Sequence, residues 1–268
     1  MSQATAIKLM NEFAAKNGPS KWSKVDRTAF AKGVIERILD PNKVHQRGTP
    51  LCGPASLTRA IAKDSPVVYA RAAIDLYQRG KAVIKTLEIE AGSELLKSAP
   101  QGKTDPADWV FLASIRDSDN WFFSPAGWFG SNAAGITMPD TVAEWFQAAG
   151  YTKIVNITHK AAKPNHFSLA TEAKKASDLK KKGYKVMLFI DADMLDADTQ
   201  DDLVSMHPDH WVTLTSQITD GGTYDYDKPV SFQVYSWGRT IDVPVDSKKP
   251  LTKFKFLHKY YGFVAAGH

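Results

Sequence analysis

Residues 210–215, His210-Trp211-Val212-Thr213-Leu214-Thr215, are rich in β-branched and aromatic side chains. Such a run suits a pleated, packed strand better than a helix. The stretches 230–239, 241–245 and 254–265 read the same way, and Gly221-Gly222 marks the turn before them. Upstream, residues 184–191 form a short apolar run of the buried-strand type. Before residue 183 the periodicity is helical. Residues 1–16 carry Ile7, Leu9, Met10 and Phe13, and residues 26–39 carry Phe30, Val34, Ile35 and Ile38, with Asp26 placed to cap. Asp40-Pro41-Asn42 ends that helix, and a polar stretch, 43–50, follows. A further helix is expected over 55–61, with Pro54 at its first position, where a missing N–H costs nothing. Residues 66–79 form the next, with Val67, Ala70, Ala73, Ile74 and Tyr77 on one side and Gly80 as its stop. Short helices are expected from Pro139 to near Gly150 and over 171–182, closed by Gly183. Helices first and antiparallel strands last predict an α+β chain, read as a single domain with a helical part of about residues 1–183 and a β-rich part of about 184–268.

The composition permits this. The chain has 268 residues, 43% hydrophobic, 24% charged and 11% aromatic, enough for a sizeable core and far from the make-up of a disordered chain. The formal net charge of +5 is mild and does not by itself call for nucleic acid. Lys174, Lys175, Lys180, Lys181, Lys182 and Lys185 read as a solvated helix face. No apolar run approaches the roughly 20 residues that span a bilayer, so no membrane partner is expected, and the first residues lack the basic-then-apolar pattern of a signal peptide.

Cys52 is the sole cysteine, so no internal disulfide can form and a thiolate zinc site of the usual kind is excluded. His207 and His210 have no third ligand at sensible spacing. The acidic stretch from Asp191 to Asp202 lacks the glycine and terminal glutamate of a calcium loop. No metal or cofactor is therefore expected. Cys52 stands directly before a predicted helix, where backbone N–H groups favour negative charge. A thiolate nucleophile needs an imidazole partner. Of the seven histidines, His210 heads a strand that can hold its ring rigidly, and the next strand ends Tyr235-Ser236-Trp237-Gly238.

Gln46, then Cys52 six residues on, a distant His210 and Ser236-Trp237-Gly238 on the following strand together resemble a papain-like cysteine peptidase. Cys52-Gly53-Pro54-Ala55-Ser56-Leu57 is similar to the nucleophile helix of C39-like peptidases and bacterial toxin peptidases. The likeness covers about 25 residues in four islands. It implies Cys52 as nucleophile, His210 as general base and acid, and the Gln46 amide with the Cys52 N–H as oxyanion donors. It also implies an endopeptidase acting on proteins, secreted without an ordinary signal peptide into a target cell's cytoplasm and paired with an inhibitory immunity protein. Tyr235 stands where the family has an asparagine. Either Ser236 orients His210 after a one-residue shift, or a backbone carbonyl does. The same thioester chemistry serves deamidation, transglutamination or acyl transfer, and without an orienter the scaffold becomes a catalytically silent binding domain. The aromatic residues between 109 and 146 read mainly as core, and Gly127-Trp128-Phe129-Gly130-Ser131 as a wall of the cleft. The upstream Gln46 and Gly53-Pro54 lead us to expect Cys52 at an exposed helix start.

Overall fold

In a computed structural model, the described residues are 2–119, 136–159, 162–203, 207–219 and 225–268. The chain is α+β and divides into two compact units, one formed by residues 1–137 and 148–150, the other by 138–147 and 151–268. Among the described residues no helix is long and apolar enough to cross a membrane.

The first unit contains α1 (Gln3–Ala15), α2 (Arg27–Leu39), α3 (Cys52–Asp64) and α4 (Pro66–Arg79), then the hairpin β1 (Lys81–Ile84) and β2 (Leu87–Glu90). Three short helices follow, α5 (Ser93–Lys97), α6 (Pro106–Asp108) and α7 (Ser114–Asp119), the last two joined by a π-helical turn, Trp109–Ala113. Asp26 caps α2 as expected, accepting from the Ala29 N–H at 2.7 Å. Gly80 ends α4 in the left-handed region, which a residue without Cβ enters at no steric cost. Phe13, Phe30 and Tyr77 meet ring to ring, and the Arg27 guanidinium lies 4.3 Å from the Phe13 ring centre, so α1, α2 and α4 share one aromatic core. Trp109 and Phe111 of this unit, and Trp145 and Phe146 of the second, are buried, as core residues should be. The hairpin β1–β2 goes beyond the sequence reading. Its signal is strict alternation of buried and exposed positions on both strands.

The second unit is built on a fully antiparallel six-stranded sheet in the order β3-β8-β4-β5-β6-β7. Its strands are β3 (Lys153–Thr158), β4 (Lys185–Ile190), β5 (His210–Leu214), β6 (Phe232–Ser236), β7 (Arg239–Val243) and β8 (Tyr260–Gly267). Leu188, Val212, Val234 and Phe263 pack on it with Leu169 and Ala173 of the helix His166–Lys181. β3 and that helix thus belong with the sheet, so the boundary falls well before residue 183. Gly262 sits on β8 opposite Thr158 with φ of +111°, and a Cβ there would lie 2.1 Å from the Ile157 carbonyl oxygen.

Two expectations need correction. Residues 254–265 are not one strand. Lys253–Lys259 is a helix capped by Thr252, and β8 begins only at Tyr260. Lys253, Phe256 and Leu257 are buried at helical spacing, which overrides the apparent alternation of Phe254 and Phe256. The helix expected over 55–61 begins at Cys52 itself, so Pro54 lies inside its first turn. The turn at Gly221-Gly222 and the loop Gly127–Ser131 lie outside the described residues.

Candidate active site

The first unit carries Gln46 and Cys52. The loop before α3 is held from below by a buried ion pair. Arg37 Nε and Nη2 donate to the two carboxylate oxygens of Asp108 at 2.7 and 2.5 Å, and the His45 backbone N–H donates to the same carboxylate at 3.0 Å. Asp108 is fully buried and Arg37 nearly so. Burial acts against the guanidinium's charge, but the hydrogen bond and charge of Asp108 outweigh it and hold Arg37 protonated beyond its ordinary range. His45 is thereby pinned one residue before Gln46. The Gln46 carbonyl then accepts from both the N–H and the hydroxyl of Thr49, closing the turn, and Arg47 and Gly48 pass through positive φ. Arg59 of α3 reaches back to Asn42 at 2.9 Å. Gln46 is buried at the head of this turn.

Cys52 opens α3, whose N-cap, Leu51, provides no side-chain acceptor. Ser2, Asp26, Asn165 and Thr252 cap their helices with oxygen, whereas α3, like α4 and α5, has no side-chain cap. The first-turn N–H groups of α3 are thus left to other acceptors, which is the arrangement that favours an anion at a helix start. The expectation that this start is exposed does not hold, since Cys52 is 4% exposed. Gly53 beside it packs so closely on Thr137 that a Cβ would come within 2.7 Å of the Thr137 hydroxyl oxygen. Glycine is required here by space.

The second unit carries His210, Ser236 and Trp237. His210 is the first residue of β5, paired with Ile190 of β4. Ser236 ends β6, the neighbouring strand. His210 Nε2 and Ser236 Oγ are 2.7 Å apart. Nε2 is thus the ring nitrogen engaged by the hydroxyl. Trp237, at φ of +48°, stacks on the imidazole with ring centres 5.1 Å apart and planes 19° apart. Tyr235 pairs with Thr213 in the ladder and is buried, so of the residues 235 and 236 it is Ser236 that meets the ring. Burial lowers the His210 pKa to about 4, so the ring is neutral at pH 7 and can accept a proton.

The chain matches no family model, no curated protein and no solved structure.

Two sets of buried charged groups in the first unit escape the sequence reading. Arg37 and Asp108 are 71 positions apart, so nothing local couples them. Arg116 is buried beside a run of buried residues, Trp109–Ile115. The signal for it is a cation ending an apolar stretch, because a charge placed there must find a partner. Among the described residues no three His, Cys, Asp or Glu side chains converge as a metal group.

Proposed function

We propose that this chain is a papain-like cysteine peptidase working through Cys52 and His210. In this reading the Cys52 sulfur attacks the scissile carbonyl carbon as His210 takes the thiol proton. The Gln46 amide and the Cys52 N–H donate to the resulting oxyanion; losing one such donor costs about 2.7–4 kcal/mol of transition-state stabilisation. The tetrahedral species collapses, the C–N bond breaks, and the leaving amine takes the proton from His210. Water, deprotonated by the same imidazole, then hydrolyses the thioester and regenerates the thiol.

The observation that carries the reading is the His210–Ser236 hydrogen bond under a stacked Trp237, at the head of a strand. A buried histidine of any role needs a hydrogen-bond partner, so what supports the reading is the conjunction of that bond with the stacked Trp237 and with the order Gln46, Cys52, His210, Ser236 along the chain. A neutral imidazole can accept the thiol proton; with a pKa of about 4 it is a weak base until a negative sulfur beside it raises its affinity for the proton. The hydroxyl orients the ring but stabilises an imidazolium less than a carboxylate does. Delivery as an effector into other cells, with an inhibitory partner, belongs to the same proposal and rests only on the resemblance of residues 52–57, of the His210-Trp211-Val212 strand and of Ser236-Trp237-Gly238.

The test is proteolysis of unfolded proteins and of a cell extract, read as new protein N-termini. Wild type should generate them, and Cys52→Ala and His210→Ala should not, while both keep the folded circular dichroism spectrum. Cleavage retained by Cys52→Ala removes the assignment. The intact mass of a treated target separates the related chemistries: fragments mark hydrolysis, a small gain without cleavage marks deamidation, and an added partner marks transfer.

A further inference from the structure

Gln46 stands in a turn that only one protonation state of its neighbour completes. The turn runs from Gln46 to Thr49 and is closed by the Thr49 N–H on the Gln46 carbonyl at 3.0 Å. Its two central residues, Arg47 and Gly48, have φ of +50° and +76°, as in a type I′ turn. Glycine enters that region freely, whereas arginine carries a Cβ and needs support there. The support comes from His45, whose Nδ1 accepts from the Arg47 N–H at 2.8 Å. A backbone N–H can only donate, so Nδ1 must keep its lone pair, and the ring is neutral with its proton on Nε2. The far side of the turn leads into the start of α3, where the Leu51 N–H donates to the Thr49 carbonyl at 2.8 Å.

We propose that neutral His45 is the positioning residue for Gln46, and that a second proton on its ring releases the Gln46 turn and switches the site off. This rests on the reading of Gln46 as an oxyanion donor. An imidazolium carries N–H at both nitrogens, so Nδ1 would meet the Arg47 N–H donor to donor. His45 is only half-buried, so its ring exchanges protons with solvent. Charged groups reach this stretch from three elements. On α2, Arg37 is bound to Asp108, and Glu36 faces Lys43 at 3.4 Å. At α6, Asp108 accepts from the His45 backbone N–H, and Asp105 lies 3.5 Å from Arg37 Nη1. On α3, Arg59 is bonded to Asn42. Arg47 and Lys103 are exposed. Of these, Asp108 is the competitor for any effect of acid, since burial pushes its carboxyl up to about 6 against the opposing pull of Arg37. His210 takes its proton only near pH 4, well below both.

His45→Asn separates His45 from Asp108. An asparagine side-chain oxygen bonds the backbone N–H two residues on, so the variant keeps an acceptor for Arg47, does not titrate and leaves Asp108 in place. Proteolysis of an unfolded protein is followed against pH. In wild type kcat should fall about tenfold per pH unit below the His45 midpoint, about 6.5 for an ordinary imidazole, with KM little changed. His45→Asn should keep neutral-pH turnover within about threefold and hold it level down to about pH 5. His45→Ala, which loses the acceptor, should lose about tenfold or more of kcat at every pH. An acid limb unchanged in His45→Asn assigns it to Asp108 and overturns the role of His45, leaving the peptidase standing. A wild type that cleaves nothing at any pH overturns the oxyanion reading instead, and the switch is then read without activity. Exchange of the Arg47 amide, corrected for its intrinsic pH dependence, should lose protection in wild type as the His45 imidazole signals titrate in NMR, and should keep it in His45→Asn. Should the variants fail to fold, wild type decides alone: protection that persists through the imidazole titration, or is lost at another midpoint, rejects the switch.

Discussion

The loop that carries Gln46 and the strand that carries His210 are held in place by different forces. His210 sits in a ladder: β5 is paired on both sides, by β4 and by β6, and backbone hydrogen bonds set where its ring and Ser236 meet. The stretch from Asp40 to Leu51 has no ladder. Its ties beyond its own turns include the Arg37–Asp108 pair through His45, Arg59 through Asn42 and Lys43 with Glu36. A ladder spreads its strength over many bonds of about 1 kcal/mol each. A buried ion pair concentrates it, since removal of one partner strands a charge at a cost of about 3–5 kcal/mol. The comparison teaches that the oxyanion side of the proposed site is the brittle one. Asp108→Ala should accordingly lower stability by about 3–5 kcal/mol, read as the urea midpoint, and should release the Gln46 turn first in hydrogen exchange. Replacing Arg37 and Asp108 together by Met and Leu should recover much of that loss. A single Asp108→Ala that costs under about 1 kcal/mol would place the anchoring elsewhere.

The same contrast explains what the sequence could tell. Most of the ladder is legible residue by residue, but β3 lies in the stretch read as helical. β4 reads as a buried run, His210 heads an apolar strand, and Gly80 and Asp26 mark helix ends by local chemistry. Choosing between Tyr235 and Ser236 is a different problem. It depends on where β6 stops and on the left-handed turn at Trp237, a single-residue matter that composition does not carry. Likewise Phe254 and Phe256 look alternating until Phe256, Leu257 and Tyr260 are seen to share one buried helix-and-strand corner. The anchor of the loop was illegible for a deeper reason. Arg37 and Asp108 each look like an ordinary charged residue in a helix, and only packing reveals that both are inside.

On the His210 side the expected effects are smaller and pH-dependent. The folded imidazole ionises near 4 instead of 6.5, so between those values the unfolded chain binds more protons than the folded one. Acid therefore pulls toward unfolding: the stabilisation is complete above pH 6.5 and is lost as the pH falls toward 4. Full loss corresponds to about 3 kcal/mol. Because buried carboxyls titrate over the same range, the quantity to measure is a difference. The urea-derived stability of wild type minus that of His210→Gln should fall with decreasing pH across this window. A difference that stays level down to pH 4 would mean that the ring is solvated in the native state.

The smallest effect sharpens the comparison most. Ser236→Ala removes one neutral hydrogen bond from a ladder that otherwise remains intact, so stability should fall by only about 1–3 kcal/mol, the cost of leaving a buried imidazole N–H unmet. Proteolysis responds separately. If the hydroxyl orients the ring, turnover should fall by about tenfold or more with KM little changed, because only the transition state requires the correct nitrogen to face the sulfur. Ser236→Thr, which keeps the hydroxyl, should restore part of it. If Ser236→Ala lowers stability and leaves kcat unchanged, the hydroxyl is packing for a strand end, and the orientation of His210 must come from Trp237 stacked on its face. Substituting Trp237 by Phe, which keeps a ring but reduces its area, would then become the variant that slows the proposed proteolysis.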